Sequence, residues 1–308
     1  MKILFFGSDV FAIPTLHALA ESEHTLLGVV AQPDKPAGRG QKLTPCPGAV
    51  VANDLKLPLF QPPKISDPQA IEELLNLKPD CLVVVAYGKY LPKALVDAPE
   101  FKAVNVHPSL LPKYRGAAPM PWAILNGDKK TGVSTMTVAE EMDAGDIYLQ
   151  TETTIDEIEN AEQLSNRLGE LGAELLLKTL EGLEKKTLKA KPQDATKIVL
   201  APKLEKEMGH LDWREKAVTL YNKVRAFTPW PGTFCKIENK ILKIWEAAPI
   251  ENAATATPGT VLDNRQGLIV ACGQGGLCLL EVQLEGKKRM SAGDFLKGHP
   301  VAIGTILK

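Results

Sequence analysis

The sequence predicts an α/β protein in which a doubly wound, mostly parallel sheet is followed by a small β-barrel. Three observations lead to this prediction. Strand-like and helix-like segments alternate through the first half of the chain, a lysine-rich segment without periodicity then interrupts the pattern, and short strand-like runs separated by Gly, Asn and Asp fill the remainder. The length of 308 residues also favours two domains over one.

Apolar, β-branched runs supply the strands of the predicted parallel sheet. They occupy residues 2–6, 26–31, 57–60, 81–86, 103–106, 132–139 and 147–155. Helical spacing of apolar residues predicts helices between them, over residues 13–20, 70–77 and 161–183. The longest of these helices has Asn160 as its expected N-cap, with Gln163 three residues later.

The composition changes after the long helix. Residues 183–206 hold seven lysines against three acidic residues, together with two prolines, which is typical of a linker. A further helix over residues 215–227 precedes the short strands of the predicted barrel, at residues 234–237, 240–247, 259–261, 267–271 and 276–282. We therefore expect a first domain over residues 1–188, a basic linker over 189–206 and a C-terminal domain over 207–308.

The charge balance conceals two unlike halves. The chain carries 36 Lys+Arg against 37 Asp+Glu, and this near-neutrality argues against a nucleic-acid binder. Residues 203–308, however, hold 15 Lys+Arg against 11 Asp+Glu, whereas residues 1–202 hold 21 against 26. A basic C-terminal half therefore remains compatible with a polyanionic partner. A hydrophobic fraction of 44% excludes disorder as the main state.

The cysteines indicate a reducing compartment. All five are scattered, and none forms a C-x-x-C pair, which fits neither a disulfide framework nor a zinc site. No run of 18 uncharged apolar residues or cleavable leader is recognisable. We therefore expect a cytoplasmic protein, monomeric and without a membrane or a metal.

The stretch from residue 103 to 116, AVNVHPSLLPKYRG, carries the most informative polar residues. Side chains alternate along a strand, so Asn105 and His107 share one face, and Pro108 ends the strand. Ligands of open α/β sheets bind at such strand ends. On spacing alone, a buried hydrogen-bonded pair explains the motif equally well. Asp143, in a later acidic loop, becomes relevant only if it meets His107.

Common catalytic motifs are absent, which argues against several reactions. The chain has no G-x-G-x-x-G, no G-x-x-x-x-G-K-[ST], no H-x-x-x-H and no G-x-S-x-G. Dinucleotide chemistry, ATP hydrolysis, zinc catalysis and serine hydrolysis all lose support. The loop QPDKPAGRGQKL (residues 32–43) has two interpretations. It is either a surface loop without a specific role or a flexible basic loop that binds a polyanion.

The run NVHPSLLP (residues 105–112), with KYRG behind it, resembles the central motif of the folate-dependent formyltransferases. The loop QPDKPAGRGQKL and the run RAFTPWPGTF (residues 225–234) resemble the branch of that family that acts on a tRNA. The resemblance covers nearly the whole chain. It implies a Rossmann-like formyltransferase fold followed by an OB-like β-barrel that binds tRNA.

The resemblance also implies a reaction. The formyl group of 10-formyltetrahydrofolate, a co-substrate, would pass to the α-amine of initiator methionyl-tRNA, without a metal or a covalent enzyme intermediate. Asn105 and His107 would stabilise the tetrahedral oxyanion, and Asp143 would orient His107 and assist proton transfer. Whether Asp143 or a water molecule is the immediate base stays open.

Binding residues follow from the same resemblance. The implied folate contacts are Ser109, Leu110, Leu111, Pro112, Val85, Ala86, Tyr87, Gly88 and Leu91. The implied tRNA contacts are Lys35, Arg39, Lys42, Lys206, Lys287, Lys288 and Arg289, of which Arg39 is the most suited to bidentate phosphate or base contacts.

Two other functions remain open from the sequence. A relative with the same catalytic domain could hydrolyse formyltetrahydrofolate or formylate another acceptor, such as a sugar nucleotide or glycinamide ribonucleotide. The loop over residues 32–43 argues against these relatives, because they have no need of it. A non-catalytic tRNA-binding protein is the third possibility, and it would not retain Asn105, His107 and Asp143 together.

Overall fold

A computed structural model describes residues 1–37, 40, 42–265 and 267–308. The chain divides into two compact units. Unit 1 contains Met1–Gly116, Lys130–Thr154 and Ser165–Leu200. Unit 2 contains Ala117–Lys129, Ile155–Leu164 and Ala201–Lys308. Two stretches that the sequence assigns to the first domain therefore belong with the C-terminal unit, and the domain limits at residues 188 and 206 stay a prediction.

Unit 1 contains nine of the described strands. In chain order they are β1 (Lys2–Gly7), β2 (Thr25–Val30), β3 (Lys35–Ala37), β4 (Lys42–Thr44), β5 (Leu59–Phe60), β6 (Cys81–Val85), β7 (Ala103–His107), β8 (Lys130–Thr137) and β9 (Ile147–Thr154). Seven of them form one sheet in the order β5-β2-β1-β6-β7-β8-β9. The five from β5 to β7 are parallel, and β8 and β9 are antiparallel additions. The predicted α/β class is confirmed.

The described helices separate these strands and extend into unit 2. They are α1 (Ile13–Ala20), α2 (Pro47–Asp54), α3 (Pro68–Asn76), α4 (Lys93–Val96), α5 (Pro119–Leu125), α6 (Ala161–Glu184), α7 (Ala217–Ala226) and α8 (Ala292–Gly298). The sequence did not predict α2, α4, α5 or α8, because short helices show too few turns for a clear apolar period. No described helix is long and apolar enough to cross a membrane.

The strand order places the edge where ligands bind. From β1 the chain builds outward through β2 and β5 on one side, and then through β6 and β7 on the other. In open parallel sheets the crevice lies beyond the carboxyl ends of the strands at this reversal. Those ends are Gly7 in β1, Val85 in β6 and His107 in β7.

Within unit 1, helix α6 approaches strand β7 closely at a glycine. A Cβ at Gly172 would meet Val106 of β7 at 2.9 Å, so glycine permits the close approach. The predicted leucine stripe is buried at Leu164, Leu168 and Leu175. At its start, Asn160 and Gln163 exchange hydrogen bonds of 2.9 Å in each direction, which forms the expected cap.

Unit 2 contains an antiparallel sheet. Its strands are β10 (Thr233–Ile237), β11 (Lys240–Ile250), β12 (Val261–Asp263), β13 (Leu268–Ala271), β14 (Gly276–Leu284) and β15 (Met290–Ser291). The order is β10-β11-β14-β13-β12, with β15 beside β14. This order is consistent with an OB-like fold. The predicted barrel is corrected to an open sheet, because β10 and β12 are not paired with each other within the described ladder.

The chain end lies between the two outer strands of that sheet. Lys308 exchanges backbone hydrogen bonds with Lys236 of β10, and the Leu307 amide donates to the Gly259 carbonyl just before β12. These bonds satisfy edge groups that an open sheet would otherwise leave unpaired.

All five cysteines are free thiols in the structure. Burial raises the pKa of Cys81 to about 12 and that of Cys235 to about 12. Thiols of this kind behave as packed apolar groups rather than nucleophiles.

Candidate active site

Strand β7 places two polar side chains on the face opposite its valines. Val104 and Val106 are buried, whereas Asn105 and His107 project from the other face at the carboxyl end of the strand. His107 is only 5% exposed, and Asn105 is half-buried. No described residue forms a hydrogen bond with the side-chain amide of Asn105. The predicted pairing of these two residues on one face is therefore consistent with the backbone.

Asp143 lies beside His107. Its Oδ2 is 3.2 Å from His107 Nε2, close enough for an ion pair. The two atoms are not aligned for a hydrogen bond, and Nε2 is buried without an aligned partner among the described residues. A small rotation of either side chain would align the two groups, because only 3.2 Å separates their atoms. The sequence could not show this contact, because 35 residues separate the two.

The carboxylate of Asp143 is stabilised in its charged form. Burial raises its pKa, but the short contact with His107 and its charge, the Gly116 amide and the charge of Arg115 together lower the pKa by more, so the net pKa lies below its usual value. The Gly116 amide donates to Oδ2 at 2.8 Å. Asp143 is therefore a permanent anion at neutral pH.

Ser109 determines the tautomer of His107. The Ser109 hydroxyl donates to the Lys113 carbonyl at 2.7 Å, so it has only lone pairs to offer His107 Nδ1, which lies 2.9 Å away. The ring hydrogen therefore sits on Nδ1. The other ring nitrogen, Nε2, faces the Asp143 carboxylate.

The loop after β7 is held by polar side chains of β8 and β9. Ser134 donates to the Ser109 carbonyl at 2.6 Å and accepts from the Leu111 amide at 3.1 Å. Gln150 donates to both Ser134 Oγ and the Leu111 carbonyl. Sequence reasoning missed both residues, because single polar residues in a strand are ordinarily solvated.

A second polar contact supports the Asp143 loop, which we define as residues 138–146. Gln193 donates to the backbone oxygens of Asp143 and Gly145, and it accepts from Arg115. Arg115 is 7% exposed, and one of its terminal nitrogens lies 3.5 Å from Glu141. Gln193 falls within the predicted linker, where no motif marked it.

A pocket of about 320 Å³ opens beside the Asp143 loop. It is lined by Tyr90, Leu91, Lys93, Val96, Asp97, Lys102, Val138, Ala139 and Glu140. Its lining combines apolar and charged side chains, a combination suited to a flat heterocycle with a polar edge. Leu91 is the predicted folate contact that lines it. The sequence analysis did not select the lining residues that follow β8 (residues 138–140), because the acidic run that begins at Glu140 looked like a solvated turn.

The other predicted folate contacts differ in exposure. Ser109 is fully buried against His107, and Val85, Tyr87 and Leu111 are also buried. Ala86 and Gly88 are exposed, and Leu110 and Pro112 are half-buried. Their contacts with folate stay a prediction.

The predicted tRNA contacts of unit 1 lie on a hairpin. Strands β3 and β4 pair antiparallel, with Lys35 opposite Thr44 and Lys42 opposite Ala37. Both lysines are exposed, and Lys35 Nζ donates to Gln32 at 2.6 Å. Arg39 lies outside the described residues. The expected loop is therefore a short hairpin in its described part.

The predicted tRNA contacts of unit 2 are all exposed. Lys206 begins a short 3-10 turn, and Lys287 and Lys288 lie between β14 and β15. Arg289 forms an ion pair with Glu281, and its guanidinium lies 4.9 Å from the ring centre of Trp245. Trp245, which the sequence did not single out, also has Lys243 Nζ at 5.8 Å.

The geometry suits acyl transfer. The buried edge of the His107 imidazole shares one strand face with the Asn105 amide, which has no hydrogen-bond partner in the described part of the chain, and the Asp143 carboxylate lies 3.2 Å from the imidazole. Such donors stabilise an oxyanion, and the carboxylate supplies a proton acceptor. No group of three His, Cys, Asp or Glu side chains within the described ranges is arranged to hold a metal ion.

Two models of known protein families match this chain. Residues 1–180 match the family model described as "Formyl transferase", and residues 203–300 match "Formyl transferase, C-terminal domain". The chain is therefore a formyl-transferring enzyme.

Similarity along the whole chain is more specific. It is 44% identical over 308 residues to a protein named methionyl-tRNA formyltransferase from Citrifermentans bemidjiense, covering all of this chain and 96% of that protein. It is 43% identical to the one from Alkaliphilus oremlandii, covering 100% and 99%. The chain belongs to the methionyl-tRNA formyltransferase family.

Solved structures share the fold at lower identity. HypX from Aquifex aeolicus, crystallised with tetrahydrofolic acid, is 21% identical with a TM-score of 0.67, and the match covers 99% of this chain but only 50% of HypX. The sugar 3N-formyl transferase WlaRD is 17% identical with a TM-score of 0.67, covering 94% and 99%. At these identities the likeness shows the fold alone.

Proposed function

We propose that this enzyme transfers the formyl group of 10-formyltetrahydrofolate to the α-amine of initiator methionyl-tRNA. The acceptor named by its relatives supports the choice of substrate. The observation that supports the chemistry is that His107 and Asn105 share one strand face, and that the Asn105 amide has no hydrogen-bond partner among the described residues. Once His107 is protonated, its Nε2–H and the Asn105 amide are two donors suited to an oxyanion that exists only during the reaction.

The reaction proceeds by direct attack. The amine nitrogen forms a bond to the formyl carbon, and the carbonyl oxygen becomes an oxyanion that accepts hydrogen bonds from Asn105 and protonated His107. The bond from carbon to N10 of the folate then breaks, and N10 takes up a proton. A free α-amine titrates at about 7.7–8.0, so part of it is already neutral near neutral pH and can attack. The nitrogen becomes far more acidic once it has bonded to the formyl carbon, and the anionic Asp143 or a water beside it takes up the proton that it then loses.

The pocket beside the Asp143 loop is the proposed seat of the pterin. Its apolar walls, Leu91, Val96 and Val138, suit the flat ring system, and backbone groups of Ala139 and Glu140 are available to its polar edge. Glu140 precedes Asp143 by three residues. One loop therefore contributes both to the proposed folate pocket and to proton transfer. The proposed pocket therefore brings the formyl donor towards the catalytic loop.

The acceptor is a polyanion, and both units expose basic residues for it. On unit 1 these are Lys35 and Lys42 of the hairpin, with Arg39 between them in sequence. On unit 2, Lys206, Lys287 and Lys288 are exposed, and the OB-like sheet is a fold that holds nucleic acid in a basic groove. We propose that these groups contact phosphates of the tRNA.

A formylation assay with labelled 10-formyltetrahydrofolate tests the proposal. We expect transfer to methionyl-initiator tRNA and little to methionyl-elongator tRNA. His107→Ala and Asp143→Asn should each lower kcat by about a thousandfold, in the range seen when oxyanion donors are removed. Affinity for tRNA, measured by filter binding, should stay near that of the unaltered protein. Full activity in both variants would refute the mechanism.

The same assay separates the alternatives. A formyltetrahydrofolate hydrolase would release formate at a rate that methionyl-tRNA does not change. A sugar-nucleotide formyltransferase would label an amino sugar and leave the tRNA unlabelled. A protein that only binds tRNA would turn over no folate under any condition.

A further inference from the structure

Gln193 has three hydrogen bonds that converge on the Asp143 loop. Its amide nitrogen donates to the backbone oxygen of Asp143 at 2.8 Å and to that of Gly145 at 2.7 Å. Its amide oxygen accepts from Arg115 Nε at 3.0 Å. Both N–H hydrogens of the side chain are therefore used on one loop, and its oxygen fixes the neighbouring guanidinium.

The loop needs such a restraint at this point. Asp143 has a φ of 54°, in the left-handed region that is unfavourable for a residue with a side chain. A conformation of this kind persists only where surrounding contacts hold it. The Gly116 amide holds the carboxylate of Asp143, whereas Gln193 holds its backbone.

The chain around Gln193 is itself anchored. Lys191 exchanges backbone hydrogen bonds with Ile147, at the start of β9, and each is 2.8 Å long. Asp194 accepts from the Thr196 amide and so begins a short 3-10 turn. Gln193 therefore belongs to a segment that is anchored by hydrogen bonds on both sides. Its side chain can restrain the Asp143 loop because its own backbone is restrained.

We propose that Gln193 is a positioning residue for formyl transfer: its amide hydrogens hold the Asp143 loop so that the Asp143 carboxylate stays opposite His107 Nε2. The proposal rests on the proposed function. Gln193 does not touch the reacting atoms. It acts through Asp143, and its effect should fall on kcat rather than on substrate binding, because misplacing a catalytic group by about 1 Å can cost a hundredfold in rate.

Two substitutions separate the contacts of Gln193. Gln193→Glu keeps an oxygen for Arg115 but sets a carboxylate against the backbone oxygens of Asp143 and Gly145. Gln193→Ala removes all three contacts. We expect each variant to lower kcat by about 10–100-fold, with KM values for the folate donor and for methionyl-tRNA near those of the unaltered protein. Rescue by Gln193→Glu would assign the role to the Arg115 contact and overturn the proposal.

Asp194→Ala is the matched control. It removes the cap of the adjacent turn but no bond to the Asp143 loop, so kcat should not change. A loss of kcat in this variant equal to that of Gln193→Ala would show that the segment matters only as a whole. Melting temperatures of all variants identify any loss that comes from unfolding.

Nitrogen-15 NMR of the histidine rings supplies a readout that does not depend on turnover. The His107 signals are identified from their absence in His107→Asn. In both Gln193 variants we expect the Nε2 shift to move, because the carboxylate leaves its place, and to stay unchanged in Asp194→Ala. An unchanged Nε2 shift in Gln193→Ala would refute the proposal. Failure of the unaltered protein to formylate methionyl-tRNA would refute the proposed function instead, and the NMR result would still decide the role of Gln193 in placing Asp143.

Discussion

The tautomer of His107 depends on one buried hydroxyl. Ser109 has no exposed surface, and its only free lone pairs face His107 Nδ1. The motif places Ser109 two residues after His107, but only the folded loop turns its hydroxyl back to the ring. Ser109 therefore acts on the imidazole, a role distinct from the folate contact predicted for it.

Ser109→Ala should lower kcat about tenfold or more. The substitution leaves a buried Nδ1–H without an acceptor, at a cost of about 1–3 kcal/mol, and it allows the hydrogen to move to Nε2. Steady-state formylation kinetics measure the loss. Thr15→Val is the control, since Thr15 has a buried hydroxyl with no partner among the described residues, and it should retain kcat. An unchanged kcat in Ser109→Ala would mean that the tautomer is set by another group.

At the scale of elements, the Asp143 loop is determined by a close approach between backbones. A Cβ at Gly145 would lie 1.8 Å from the Thr137 carbonyl, so only glycine fits there. The Thr137 amide and hydroxyl in turn bind Asp146. These contacts close the loop between β8 and β9, and they determine where Asp143 can lie.

Gly145→Ala should displace the loop and reduce both stability and activity. We expect a loss of about 1–3 kcal/mol in the free energy of unfolding, typical of overpacking, and a fall in kcat of about 10–100-fold. Urea unfolding and the formylation assay measure the two effects. Gly293→Ala, in the exposed first turn of α8 with no atom nearer than 3.9 Å, should be neutral or stabilise by up to about 1 kcal/mol. Equal behaviour of the two variants would contradict the close approach.

At the scale of the whole molecule, charge is divided between the two halves of the sequence. Residues 203–308 carry an excess of four positive charges, whereas residues 1–202 carry an excess of five negative charges. We therefore expect a polyanion to be attracted to the C-terminal half and to the basic hairpin, and binding of this type weakens with salt. Near-neutrality of the whole chain hides this division.

Affinity for tRNA should fall steeply with salt, whereas affinity for folate should change little. Replacing both Lys287 and Lys288 with alanine should reduce the slope of log affinity against log salt by about 1 for each lost phosphate contact. Lys297→Ala is the control, because Lys297 is already paired with Asp294 at 2.8 Å. Filter binding over a salt series provides the slopes. A slope that stays constant in the double variant would remove these lysines from the interface.

The sequence by itself determined the α/β class, the strand that carries Asn105 and His107, and the long helix with its cap. These features depend on local periodicity, on the two-residue alternation of a strand and on short-range capping, all of which are written in neighbouring residues. The family resemblance added Asp143, which no local pattern would have selected.

Only the tertiary structure decided the surroundings of the catalytic residues. Ser134, Gln150 and Gln193 come from β8, β9 and a segment predicted as linker, and each acts through a hydrogen bond to backbone far away in the chain. The open sheet of unit 2 likewise depends on which strands pair with each other, and this pairing is visible only in the folded chain. Contacts of this kind follow from how buried polar groups find partners once the chain has folded, so they leave no periodic signal in the sequence.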